Sequence, residues 1–330
     1  MPSSARWKKP ANSKPSMMNP RKKSQTASFH IVLPATSANL GPAFDAAALA
    51  MDLSIRVEAK PAGAFHVEAK GRDKAICERV EDHLILSTYR EVLENHGKEI
   101  VPLSLRIENE LPIGKGCGSS AAARLAGIAL ADHFGQLGWN DLQIIAEGSR
   151  RENHSDNVAA CWMGGLAVAR MADSGPQVAG LKLKGKWPLL LAVPDVALPT
   201  EQARKVLPAQ YSRADAVLNI QNSMLLLAAF TEGRHDLLAA ALEDRIHQPY
   251  RAALCPLLPC LQPLTGKNGV LGVAISGAGP SVLVFLDPRS PLQNLKKGIA
   301  QTISQAGLKA ELIVTSIAVQ GARVTAGSRP

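Results

Sequence analysis

No Cys-x-x-C pair occurs in this chain, and its five cysteines, Cys77, Cys117, Cys161, Cys255 and Cys260, are odd in number and scattered. That pattern indicates neither a disulfide framework nor a zinc site, and it leaves the thiols as small core residues. No apolar run reaches the roughly 18 to 20 residues of a membrane span, and the first residues lack the apolar stretch of a secretory signal. A cytoplasmic protein is expected. No internal repeat recurs at a fixed period, so no repeat array is expected either.

Acidic side chains are missing from residues 1–27. This stretch carries Arg6, Lys8, Lys9, Lys14, Arg21, Lys22 and Lys23, seven of the chain's nine net positive charges. The basic excess is therefore terminal, and it gives no ground for a nucleic-acid surface on the remainder. Rich in Ser, Pro, Lys and Asn and without apolar periodicity, the tail cannot bury enough surface to offset its ordering entropy. A disordered tail is expected, either a solvated extension or an over-extended start upstream of Met17 or Met18, in preference to a nucleic-acid or membrane arm.

What is present is a chain of 330 residues, 46% apolar, enough for two compact domains. Strand-like patterns mark residues 28–34, 53–60, 65–70 and 101–108, and Leu84, Ile85, Tyr89, Val92 and Leu93 fall at helical spacing within 81–96. The Ala-rich run 119–134, opened by Ser119 and stopped by Gly135, is the clearest helix. A polar, Gly-containing break at 172–186 divides a first domain, residues 28–180, from a second, residues 181–330. Beyond it come a strand at 187–193, helices near 213–231 and 237–244, and strands at 270–276 and 282–286. The mixture predicts an α+β protein.

Between the strand at 101–108 and the Ala-rich helix runs Leu111-Pro112-Ile113-Gly114-Lys115-Gly116-Cys117-Gly118-Ser119-Ser120. Three glycines let backbone amides approach an anion closely, and a helix N-terminus adds free N–H groups and a positive dipole. Phosphate binding is the expectation, against a turn that only caps the helix. No Gly-Lys-Ser/Thr closes the segment and it is not G-x-G-x-x-G, so neither a Walker A loop nor a Rossmann fingerprint is present.

PIGKGCGSSAA, residues 112–122, resembles PxGxGxGSSAA, the second signature of the GHMP kinases. PATSANLGPAFD (34–45) resembles the first signature in the form that homoserine kinases write it, and ISGAGPS (275–281) resembles the third. NHSDNVAA (153–160) and the stretch from Asp195 to Pro208 resemble two further homoserine kinase blocks, so the likeness spans residues 30 to about 320. Ala43 and Ala48 stand where Gly is usual and Cys117 where Leu is usual. Ala43 raises a question of strain, because a Cβ is disfavoured wherever φ must be positive.

The resemblance implies a two-domain α+β GHMP kinase fold, with an N-terminal ATP-binding domain built on a mixed sheet and the Gly-rich phosphate loop. The C-terminal half is then a ferredoxin-like α/β sandwich. It also implies ATP and Mg²⁺ as cofactors, a small-molecule substrate, a homodimer, and phosphorylation of the L-homoserine hydroxyl to O-phospho-L-homoserine in threonine biosynthesis. Pro112, Gly114, Lys115, Gly116, Cys117, Gly118, Ser119, Ser120 and Ala121 would line the ATP phosphates, with His83 and Leu84 beside adenine; His83 stands where the family has Asn. Ser120 and Glu147 would hold Mg²⁺, whose preference for hard oxygens they meet.

Taken alone, Glu147 serves equally well as an exposed helix residue, and Lys115 either meets the phosphates or faces solvent. For the amino acid, the resemblance implies Asn39, Asp45, His154 and Asn157 at the reacting end, and Thr200, Arg204, Arg251 and Gly277 as further contacts. Two guanidiniums can grip one carboxylate bidentately, although a lone Arg is more often a surface residue in a weak ion pair. His154 has the chemistry of a general base, yet the resemblance implies transfer without a strong one.

Thr200, Arg204 and Arg251 argue against a mevalonate-type kinase, which needs no carboxylate clamp. A threonine or amino-alcohol kinase is the nearer alternative, because one methyl changes pocket fit by only about 1 to 3 kcal/mol. A non-catalytic binding protein of the same fold would not need Asp45, Ser120, Glu147 and Asn157 together.

Overall fold

The computed structural model describes residues 28–326. The basic tail expected at 1–27 lies outside the described residues. The spine is the antiparallel pair β1 (Phe29–Asn39) and β2 (Ala43–Pro61). β2 is far longer than the run read from residues 53–60, because Ala48 and Leu49 pair with β1 on one side and with β5 (Leu166–Ala172) on the other, and Ala47 pairs with β5. Alanine carries no strand preference of its own, so this extension is set by tertiary pairing. Ala43 opens β2 outside the left-handed region, and the positive φ values of the turn fall instead on Asn39, Leu40, Gly41 and Asp45. The Cβ of Ala43 is therefore unstrained.

The first sheet is mixed, in the order β11–β1–β2–β4–β3, with β5 also on β2 and β6 on β5. Its other strands are β3 (His66–Gly71), β4 (Leu103–Asn109), β6 (Gly175–Leu181) and β11 (Arg323–Ala326). Only β3 and β4 pair in parallel. β6 lies within the segment read as a break, since Gly and Pro conceal an edge strand that pairs with one neighbour only. β11 brings the end of the chain back onto β1.

Helices Leu84–Asn95 and Ser119–Gly135 pack together, with Tyr89 and Leu93 of the first buried. The second helix ends on Gln136, which takes the left-handed conformation one residue beyond the expected stop at Gly135. Helix Asp156–Met163 lies on β1, β2 and β5 through a seam of small residues, Ala38, Ala48, Ala159, Ala160 and Ala167. Small side chains allow close approach of helix and sheet, and that seam sets where Asn157 stands.

The second sheet, β10–β7–β9–β8, is antiparallel throughout. It comprises β7 (Leu189–Val193), β8 (Val270–Ile275), β9 (Val282–Leu286) and β10 (Glu311–Thr315). Leu189, Leu191 and Phe285 join one apolar cluster with Phe230, and Leu190, Val282 and Val284 join another with Ile299 and Ile303. Burial on both faces explains why β7 and β9 read as unbroken apolar runs. Among the described residues no helix is long and apolar enough to cross a membrane.

Candidate active site

The Gly-rich loop is held from below by side chains that the sequence did not single out. Asn109 accepts the Leu111 N–H and donates to the Leu111 carbonyl, and the Asp73 carboxylate accepts the Ile113 N–H. Gly114, Gly116 and Gly118 all have positive φ. At Gly116 a Cβ would lie 2.2 Å from the Ser276 carbonyl oxygen, and at Gly118 one would lie 1.8 Å from the Thr36 hydroxyl, so neither position can carry a side chain. No side chain caps the N-terminus of helix Ser119–Gly135, which leaves its first-turn amides for a ligand.

Two clefts meet on this loop and share Gly114, Ser119 and Ser120. One, of about 550 Å³, has apolar walls from Ile55, Ile107, Leu111 and Ile113, with His83 and Leu84 at its side. His83 is buried and its Nε2 lies 3.1 Å from the Cys77 carbonyl; burial lowers its pKa and keeps the ring neutral. The other cleft, of about 290 Å³, lies between the two halves of the chain. Of the loop residues expected there, Cys117 and Ala121 line it, whereas Pro112 is buried and Lys115 lines neither cleft. Burial pushes the Cys117 thiol up to about 12, so it is no nucleophile.

At the far end of the smaller cleft, Arg204 of helix Thr200–Lys205 donates one N–H to each carboxylate oxygen of Asp45, both at 2.8 Å. Asn39 shapes that corner: its Oδ1 accepts the Asp45 N–H at 2.9 Å and its Nδ2 donates to the Gly277 carbonyl at 2.7 Å. Arg251 is 1% exposed, and its Nε donates to the Ala203 carbonyl at 2.9 Å. Both guanidiniums lie near the ring of Phe44, at 5.5 Å for Arg204 and 5.2 Å for Arg251, an aromatic contact that no sequence signal announced. Burial, with the neighbouring Arg204, lowers the pKa of Arg251. Thr200 stands exposed at the mouth.

His154 and Asn157 line the cleft between these ends. Burial opposes a charge on His154, but the Asp156 carboxylate, 2.6 Å from Nδ1, and the nearby Glu152 and Asp45 outweigh it and raise the pKa. The imidazole is thus biased toward the cation.

Glu147 does not reach Ser120. Both of its oxygens are taken by Arg150 and Arg151, and although burial opposes ionisation, these arginines lower its pKa overall. The carboxylate beside Ser120 is Glu152, which accepts the Ser120 hydroxyl at 2.6 Å and Arg124 Nε at 2.6 Å. Both acids belong to helix Asp141–Glu152. Five residues at about 100° each put them on different faces. Among the described residues no group of three or more His, Cys, Asp or Glu side chains gathers as a metal cage. A hydroxyl and one carboxylate beside a phosphate loop are a donor set that fits Mg²⁺, which keeps waters and takes further oxygens from phosphates.

The chain is similar to known proteins over most of its length. The chain matches the GHMP kinases N terminal domain over residues 83–165 and the GHMP kinases C terminal domain over residues 226–305. A homoserine kinase of Solibacter usitatus is 46% identical over 261 residues, 78% of this chain and 85% of its own. One of Synechocystis is 35% identical over 303 residues, 90% and 98% of the two chains. The crystal structure of homoserine kinase from Cytophaga hutchinsonii superposes with a TM-score of 0.77 at 24% identity, over 93% of this chain and all of that one.

Proposed function

The chain belongs to the GHMP kinase family, among its homoserine kinases, and from that membership we propose that the cleft transfers the γ-phosphoryl group of ATP to the side-chain hydroxyl of L-homoserine. The products are ADP and O-phospho-L-homoserine. Residues 28–180, joined by the returning strand β11, form the ATP-binding part and the remainder of 181–330 the second part of this reading, with the reaction in the cleft between them. The observation that carries it is the pairing, in one cleft, of an amide-rich loop with a matched set of opposite charges, Asp45 against Arg204 and Arg251.

An amino acid is a zwitterion. Asp45 suits its ammonium, and Arg204 with Arg251 suits its carboxylate. Asn39 keeps Asp45 turned inward, and Thr200 and Gly277 narrow the space for the chain that carries the hydroxyl. ATP lies with its base among Ile55, Ile107 and Ile113 and its phosphates against Gly114 to Ser120. Ser120 and Glu152 would hold Mg²⁺, which would offset charge on the phosphate oxygens.

The hydroxyl oxygen bonds to the γ-phosphorus as the bond to the β–γ bridging oxygen breaks, and the hydroxyl proton passes to a phosphate oxygen or water. Asn157 and His154, whose protonated form the Asp156 carboxylate favours, supply donors beside the transferring oxygens. A loose transition state needs no strong base, so catalysis rests on alignment and charge.

The test is ADP release with ATP and Mg²⁺ across homoserine, threonine, serine, mevalonate and a no-substrate control. Turnover with homoserine well above the others supports the reading. Turnover with mevalonate alone overturns the substrate, and turnover with none of them overturns the activity.

A further inference from the structure

Thr36 lies in β1 with no solvent exposure and touches both partners of the transfer site. Its backbone N–H donates to the Cys117 carbonyl at 3.1 Å, and its side chain packs so closely on Gly118 that no Cβ fits there. Across the strand, its hydroxyl donates to Asn157 Oδ1 at 2.6 Å. A carboxamide has a donor end and an acceptor end of nearly the same shape; a hydroxyl can meet either, and here the Thr36 hydroxyl donates to the acceptor end, which turns the donor end outward. With Oδ1 occupied by Thr36, the Asn157 NH₂ group is left for the cleft, which Asn157 lines. An NH₂ group there donates to oxygens that gain charge during transfer, whereas a carbonyl oxygen turned inward would repel them.

We propose that Thr36 is a positioning residue for phosphoryl transfer, acting through Asn157 by fixing its amide with the donor end toward the reacting oxygens. The proposal rests on the reading of this cleft as the transfer site. Thr36 does not line the cleft and acts only through its neighbour. A Thr36→Val change keeps the β-branched shape and the strand preference and removes only the hydroxyl.

The experiment is steady-state kinetics of the full chain with ATP, Mg²⁺ and homoserine. Thr36→Val is expected to lower kcat by about tenfold or more, with both KM values within about twofold of wild type. Thr36→Ser, which keeps the hydroxyl but loses the methyl, restores kcat to within about threefold, an outcome that a packing role would not give. Thr36→Val in an Asn157→Ala background adds no further loss.

Wild-type kcat in Thr36→Val, equal damage in Thr36→Ser, or additive losses in the double variant would each overturn the proposal. Should Thr36→Val fail to fold, Asn157→Ala alone decides, since a kcat within about twofold of wild type leaves Thr36 nothing to position. Absence of wild-type turnover with homoserine would instead reject the underlying reading of the cleft.

Discussion

Arg204 and Asp45 hold each other by two parallel hydrogen bonds of 2.8 Å across the cleft, joining the helix after β7 to the start of β2. The side chains remain 38% and 33% exposed, so solvent screens the pair and its contribution to folding is small. Its meaning is chemical. One cation and one anion facing each other reproduce the charges of the zwitterion that would separate them, the ammonium taking Asp45 and the carboxylate taking Arg204.

Removing the cation should therefore be felt in substrate binding and hardly in stability. Arg204→Ala is expected to raise KM for homoserine by about tenfold to a hundredfold, consistent with about 1.5 to 3 kcal/mol for a charged hydrogen bond. KM for ATP and the thermal midpoint should stay close to wild type. An equal rise in both KM values would mean that the arginine organises the whole cleft.

The two glutamates of helix Asp141–Glu152 separate in the same way. Glu152→Gln is expected to shift the Mg²⁺ dependence to higher concentration and lower kcat by at least about tenfold, because the carboxylate beside Ser120 is lost. Glu147→Gln breaks only the contacts to Arg150 and Arg151 and should leave the Mg²⁺ titration unchanged. Titrating both variants with Mg²⁺ at saturating ATP and homoserine distinguishes them, and the reverse pattern would return the ion to Glu147.

These acids also mark where reading the sequence stops. The loop from Pro112 to Ser120 was legible because glycines before an Ala-rich helix are a local pattern with a local cause. Choosing between Glu147 and Glu152 needs the angle at which one helix crosses another, and no spacing encodes it. Phe44 was hidden likewise, since Arg204 and Arg251 reach it from elements about 160 and 200 residues away in sequence. The Ala-rich start of β2 and the Gly- and Pro-containing β6 are strands by pairing and against local preference. Strands 187–193 and 282–286 were plain because a strand buried on both faces is apolar throughout.

Two histidines should give stability opposite pH dependences. His247 is fully buried: Nε2 bonds the Gly41 carbonyl at 2.8 Å and Nδ1 lies 3.2 Å from Arg251. Burial, partly offset by Asp244, pushes its pKa down to about 4. Below about pH 6.5 the unfolded chain takes up that proton first, so this contribution to stability falls as pH drops from there toward 4. His154, with a raised pKa, contributes stability that is complete below about pH 6.5 and is lost as pH rises through its folded pKa. Thermal midpoints from about pH 5 to pH 9 should show the deficit of His154→Gln largest in acid and shrinking in base. The deficit of His247→Asn should shrink in acid, and parallel curves for both variants would refute the assignments.

The loop itself offers the sharpest steric test. Gly116 has φ +77°, its Cβ position lies 2.2 Å from the Ser276 carbonyl oxygen, and its own carbonyl accepts the Ser276 hydroxyl at 2.7 Å. The methyl of Gly116→Ala would meet backbone that no rotamer change can move, and it would add about 1 to 2 kcal/mol of left-handed strain. Relief is available only if the loop and the 276–281 turn draw apart, which opens the cleft between the two halves. Gly116→Ala is thus expected to lower the thermal midpoint and to raise KM for ATP and homoserine together, unlike Arg204→Ala. Should its kinetics match wild type, the contact between the phosphate loop and that turn would not be what sets the width of the cleft.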